Sequence, residues 1–286
     1  MKPWSFLALF AALPVVASAQ TLPAPPVAEQ RPYMVKGPLE RNDEYYWLRD
    51  DTRKNPAMLA YLNAENAYAD AYMQPLKPLE NRIYSEIVGR IKQDDASVPV
   101  RERGYFYYSR YRTGEDYPVV ARKRGSLNAR EEILLDQPKM AKGHGFFSIS
   151  DWDVSQDNRL LAYAQDVVGR RQYVLRVQNL ATGALLPDTV ENVEANLVWA
   201  DDNRTLYYIE KNPVTPRSER VKAHVLGTPA SADRLIYEEM DNTFYVAIGR
   251  TSDDAACGRR SEASKEHEFA CGGDRRARQR LDPHLW

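Results

Sequence analysis

Along residues 152–208, apolar and polar positions alternate in two runs that carry the same phrase. Asp157-Asn158-Arg159-Leu160-Leu161-Ala162-Tyr163 returns 45 residues later as Asp202-Asn203-Arg204-Thr205-Leu206-Tyr207-Tyr208, with Leu161 matching Leu206 and Tyr163 matching Tyr208. Each copy follows an apolar run that ends in a small residue, 152–155 and 197–200, so each reads as strand, tight polar turn, strand. A single Asp-Asn turn between strands is common and would mean little. Recurrence at this period is the spacing of β-propeller blades, four-stranded sheets that cannot bury both faces alone and must stack on neighbours.

The alternation extends in both directions. Segments 105–110 and 117–122 flank the turn-rich Thr113-Gly114-Glu115-Asp116, and Arg103-Gly104-Tyr105-Phe106-Tyr107 is a weaker third echo of Arg159-Leu160-Leu161-Ala162-Tyr163. Further strands are predicted at 132–135, 146–154, 160–164, 173–178, 184–186, 197–199, 205–209, 221–226 and 235–237, with another unit opening at 244–248. The expected fold is mainly β: an incomplete propeller of about two to three blades over 96–254.

Residues 20–95 read differently. Asn55-Pro56 is a helix start, because an Asx side chain accepts from free N–H groups and proline is tolerated at the first helical position. Leu59, Tyr61, Leu62, Tyr68 and Tyr72 follow at helical spacing as far as Pro75 and Pro78. A second helix is predicted from about Leu79, with Leu79, Ile83 and Ile87 on one face, so both helices have a face that needs a partner. Upstream, Trp47 and Leu48 are expected to be buried amid solvated acids.

Composition changes the picture at the two ends of the chain. The whole chain is 43% hydrophobic and 28% charged with net charge −1, which is ordinary for a globular protein and argues against a general nucleic-acid binder. Eighteen Tyr against 7 Phe suits sheets. At the start, Lys2, the apolar run 6–16 and Ala17-Ser18-Ala19 make a signal peptide over 1–19, too short to span a bilayer, followed by the Pro-rich linker 21–26. Export to the periplasm or medium is expected, with no membrane segment afterwards. At the other end, Ser252-Asp253-Asp254 arrives where the earlier units had Ser155-Gln156-Asp157, but no apolar strand follows. Residues 255–286 contain no Val, Ile or Tyr, yet hold six Arg, both cysteines and two of the four histidines. The expectation is an atypical tail, out of frame or disordered, with a basic extension as the competing reading.

Candidate chemistry is sparse. No Gly-x-Ser-x-Gly elbow and no glycine-rich phosphate loop occur, and Gly125-Ser126 lacks the second glycine. His144, in Gly143-His144-Gly145, reads as a loop residue and His224 as a strand residue. The acid pairs Asp50-Asp51, Asp94-Asp95, Glu131-Glu132 and Asp201-Asp202 read as solvated turns, since adjacent carboxylates point apart on most backbones. Cys257, His267, Cys271 and His284 lack the tight spacing of a zinc set. Cys257 and Cys271 could pair in an oxidising compartment, and Arg275-Arg276-Ala277-Arg278-Gln279-Arg280 could meet anions by charge alone. The residues therefore nominate no catalytic, cofactor-binding or metal site.

Several separated motifs in order resemble one family. Asp43-Glu44-Tyr45-Tyr46-Trp47-Leu48-Arg49-Asp50-Asp51, the helices after it, Tyr107-Tyr108-Ser109-Arg110-Tyr111, Gly114-Glu115-Asp116-Tyr117-Pro118 and the Asp157-Asn158 turn are similar to the N-terminal part of oligopeptidase B-like serine peptidases of the prolyl oligopeptidase family, over about 25–254. The resemblance implies a seven-bladed propeller that admits only short peptides, joined to an α/β-hydrolase domain carrying Ser, Asp and His. It implies cleavage after Arg or Lys, and a helical segment that packs on the hydrolase domain as intramolecular partner. The sequence departs from the family by stopping inside the propeller. Two readings follow: a truncated peptidase portion without activity of its own, or a free-standing propeller-like module that binds proteins or peptides.

Overall fold

The computed structural model describes residues 24–250 except 38 and 214, together with the backbone of strands within 256–270. The chain divides into two compact units between Ile91 and Lys92.

In the first unit a short ladder pairs β1 (Met34–Val35) with β2 (Arg41–Asn42), and a 3-10 turn covers Tyr46–Leu48. Trp47 and Leu48 are half-buried rather than buried. The Trp47 indole N–H donates to the Glu29 carbonyl at 2.8 Å, and the Arg31 guanidinium lies 4.4 Å above the ring. Helix α1 (Pro56–Met73) starts as the sequence indicates: the Asn55 side chain accepts from the Ala57 and Met58 N–H groups, with Pro56 in the first turn. Pro75 sits in a 3-10 turn over Gln74–Leu76, and α2 (Lys77–Arg90) begins two residues earlier than expected. Pro78 lies inside its first turn, where no intrahelical N–H is lost. Of the α1 residues only Met58 is buried, while Leu79, Ile83 and Ile87 are 44, 47 and 56% exposed on α2.

The second unit is built from antiparallel sheets. Strands β3 (Val100–Glu102), β4 (Tyr105–Arg110), β5 (Val119–Arg124) and β6 (Glu131–Asp136) pair in sequence order as the first blade. Strands β7 (Ser148–Val154), β8 (Leu160–Asp166) and β9 (Tyr173–Asn179) lead into β10 (Leu185–Trp199), which serves two blades. Its first half pairs with β9 up to Val193, and its second half pairs from Val193 onward with β11 (Thr205–Lys211). The sequence pattern suggests two separate short strands here. The chain instead runs on through a bend at Asn192, whose φ of 56° is a left-handed value that asparagine tolerates. Strands β12 (Ser218–Val225) and β13 (Arg234–Glu238) complete the third blade. Then β14 (Tyr245–Arg250), β15 (Ala256–Glu262) and β16 (Lys265–Ala270) form three strands of a further one. The atypical composition from residue 255 onward thus includes two strands of backbone. The remainder, 271–286, and all side chains beyond 250 lie outside the described residues.

The hydrophobic core lies between blades, as the stacking argument requires. On β8, Leu161 and Tyr163 pack towards the first blade with Tyr107, Val120, Leu134 and Leu135. The alternate residues Ala162 and Ala164 join Leu175, Val177, Leu197, Trp199, Leu206 and Tyr208 against the third blade. Strand β11 repeats the device, turning Tyr207 and Ile209 towards Val246 and Ile248 of β14. A period of two along one strand therefore supplies two separate cores.

Candidate functional site

The repeated turns are the first element of the site, because they bind one another. Asn158 and Asn203 both adopt left-handed φ, 63° and 56°, and Asp157 and Asp202 accept from the N–H groups of Arg159 and Arg204. The Asp157 N–H donates to Asn203 Oδ1 at 2.8 Å, and Asn158 Nδ2 donates to the Arg103 carbonyl at 3.4 Å. The third echo in the sequence is thus joined to the other two in space. There the turn is a two-residue hairpin with both Arg103 and Gly104 at positive φ, 42° and 81°.

Buried and half-buried polar groups then tie each blade to the next. Arg122 on β5 lies 4.0 Å from the centre of the Tyr105 ring. It donates to Glu132 at 2.8 Å and to the Asn158 carbonyl at 3.2 Å. The Tyr107 hydroxyl donates to Asn158 Oδ1 at 3.1 Å. Asp151 and Asp153 point the same way from β7 and accept the Leu197 and Trp199 N–H groups at 2.9 and 3.2 Å. Burial pushes the Asp151 carboxyl up to about 6 and raises that of Asp153. One repeat further on, Asn196 does the same for β14: its Oδ1 accepts from the Ile248 N–H at 2.6 Å and its Nδ2 donates to the Ile248 carbonyl at 2.8 Å. Asp151 and Asn196 stand 45 residues apart, the period of the turns, so extending the repeat by a few positions upstream finds them in the sequence.

These groups hold, and nothing among them is arranged to react. Ser126 lies exposed in a tight turn and accepts from the Asn128 N–H. His144 is exposed, 6.0 Å from the Phe147 ring. His224 is buried between Asp188 and Asp233, and the one hydroxyl bound to that cluster, from Tyr208, donates to Asp233 rather than to the ring. A charge relay needs its base on an activated hydroxyl. The acid pairs have structural partners. Asp50 accepts from Thr52, Lys54 and Asn55, and its carboxyl is held down at about 2, first by the Thr52 hydroxyl. Asp51 pairs with Arg49, and Asp95 with Lys92, beside exposed Asp94. Glu131 is held at about 2, chiefly by Arg110, and Glu132 pairs with Arg122. Asp201 pairs with Arg250, and Asp202 accepts from Arg204 and Thr205. A cavity of about 440 Å3 beside Leu180 is lined by Arg122, Glu131 and Glu132, all three already paired. Among the described residues no set of three or more His, Cys, Asp or Glu could hold a metal ion. The side chains of Cys257, His267, Cys271, His284 and Arg275–Arg280 lie outside the described residues.

Residues 25–257 match the family model for the prolyl oligopeptidase N-terminal β-propeller domain. The chain belongs to the prolyl oligopeptidase family. Dipeptidyl aminopeptidase BI of Pseudoxanthomonas mexicana is 53% identical over 291 residues, a match that covers 95% of this chain and 40% of that protein. Protease 2 of Moraxella lacunata is 32% identical over 235 residues, covering 79% of this chain and 34% of the relative. Oligopeptidase B from Leishmania major superposes with TM-score 0.80 at 27% identity over 89% of this chain and 39% of its own. Oligopeptidase B from Trypanosoma brucei with covalently bound antipain gives 0.76 at 27% identity, over 86% of this chain and 37% of its own. The chain thus spans between 28 and 40% of the length of curated relatives such as these.

Proposed function

We propose that this chain is the propeller portion of an exported serine peptidase that acts on short peptides, serving as the size filter in front of a catalytic domain. The observation that carries the reading is the family match over 25–257 to a propeller whose buried polar groups join blade to blade. No Gly-x-Ser-x-Gly string accompanies it, so the chain by itself is inactive. The catalytic domain is its intramolecular partner, and the exposed Leu79, Ile83 and Ile87 stripe of α2 suits such a contact. Export follows from the signal-like segment 1–19, and among the described residues no helix is long and apolar enough to cross a membrane.

Cleavage after Arg or Lys is the specificity proposed from the oligopeptidase B resemblance. The 53% identity to a protein named dipeptidyl aminopeptidase favours a second reading, removal of dipeptides from a free amino terminus. The enzyme expressed from the complete locus separates the two. Equal hydrolysis of Arg substrates with free and with blocked amino termini supports endopeptidase action, whereas loss of hydrolysis on blocking supports dipeptide release. A locus with no hydrolase-encoding continuation in any frame would overturn the peptidase reading and leave a free-standing binding module.

A further inference from the structure

His224 is fully buried in β12, and both of its ring nitrogens meet carboxylates. Nδ1 lies 2.7 Å from Asp233 Oδ1, and Nε2 lies 3.2 Å from Asp188 Oδ1. Asp188 comes from the strand shared by two blades, β10, and Asp233 immediately precedes β13. Every other group on these carboxylates is a donor: the Tyr208 hydroxyl reaches Asp233 Oδ2 at 2.9 Å, and the Gly227 N–H reaches Asp188 Oδ1 at 2.5 Å. A neutral imidazole offers one N–H and one lone pair, while an ionised carboxylate only accepts. A neutral ring here would set a lone pair against a buried carboxylate oxygen. An imidazolium satisfies both contacts with charge-assisted hydrogen bonds and halves the buried negative charge.

We infer that Asp188, His224 and Asp233 form a proton-held clasp: His224 folds as imidazolium and fastens the shared strand β10 to the outer edge of the third blade, which opens when the proton leaves to solvent. Among the described residues the surroundings supply no substitute cation. Lys222, next on that face of β12, is engaged by Glu210 of β11 at 2.8 Å. Arg176 of β9 donates to Thr189 beside Asp188, and Arg234 of β13 is exposed. From β11, Tyr208 stays a donor, its hydroxyl held above the usual range by burial and then by Asp233. The turn Ala230–Ala232 brings no charged group.

Opening that releases one proton makes protection of the edge fall as pH rises, by up to about tenfold per unit, the slope of one linked proton. Hydrogen exchange by mass spectrometry on the full 286-residue chain reads this locally, in peptides covering 185–190 and 220–237, from pH 6 to 9 after normalisation to intrinsic rates. Because the readout is local, association of the chain does not obscure it. The slope is expected in the wild type and absent in peptides covering 160–166. Asp188→Asn removes it, because the anion that faces Nε2 is gone and the ring no longer needs a second proton. Equal slopes in the wild type and Asp188→Asn would overturn the clasp. If Asp188→Asn opens the blade at every pH, nitrogen NMR of His224 in the wild type decides. Two protonated ring nitrogens at pH 8 support the inference, and one unprotonated nitrogen ends it.

Discussion

At the scale of single residues, the blade contacts depend on a few polar side chains placed at the repeat period. Asp151 and Asn196 do the same work one repeat apart, yet only Asp151 carries a carboxyl that burial has raised to about 6. An acid whose folded value is raised favours the fold below the unfolded value near 3.9 and costs stability as pH rises through about 6. Asp151→Asn should therefore raise stability at pH 8 by about 1–2 kcal/mol and change it little at pH 4. Urea midpoints of variant and wild type at the two pH values check this, and the comparison cancels the other acids. The turn asparagines act through shape as well as bonding. Asn203→Ala forces alanine to a φ of 56° and removes the acceptor for the Asp157 N–H, a loss of about 2–3 kcal/mol. Asn203→Gly relieves the backbone but not the missing acceptor, so it should cost about half as much by the same urea titration. Trp199, fully buried between the second and third blades, should cost about 3–5 kcal/mol as Trp199→Ala.

At the scale of elements, hairpins are legible in the sequence because their signal is local: alternating residues on either side of a turn that needs Asn or Gly. The helix start at Asn55-Pro56 is legible for the same reason. Strand β10 is not, since Asp188, Glu191 and Asn192 look like a loop and only neighbours on both sides hold the segment extended. The partners of His224 are also out of reach, because Asp188 and Asp233 flank it from different elements and strand periodicity says nothing of what a buried ring meets. Helix α2 gives the opposite lesson. Its apolar stripe reads in the sequence as a face in want of a partner, and Leu79, Ile83 and Ile87 remain exposed. Ile83→Glu should leave the stability of the chain within about 0.5 kcal/mol while weakening capture of a separately expressed catalytic domain. A large loss of stability would mean the stripe is internal to the fold.

For the molecule as a whole, stacking fixes the expectation. Each described blade buries its apolar faces against a neighbour, and a set of blades without closure leaves its end faces and strand edges uncovered. The isolated chain should associate or be readily proteolysed, whereas a monodisperse monomer that melts cooperatively would favour the free-standing module. The central proposal concerns chemistry: that this chain stacks and filters in front of a catalytic domain but does not itself cut. Its most direct test is hydrolysis of a fluorogenic Arg-terminated dipeptide by purified chain beginning near Gln20, run beside a serine-directed active-site probe. Neither turnover nor labelling is predicted. Inhibitor-sensitive cleavage that survives exclusion of contaminants would contradict the account and place an activated serine within these residues.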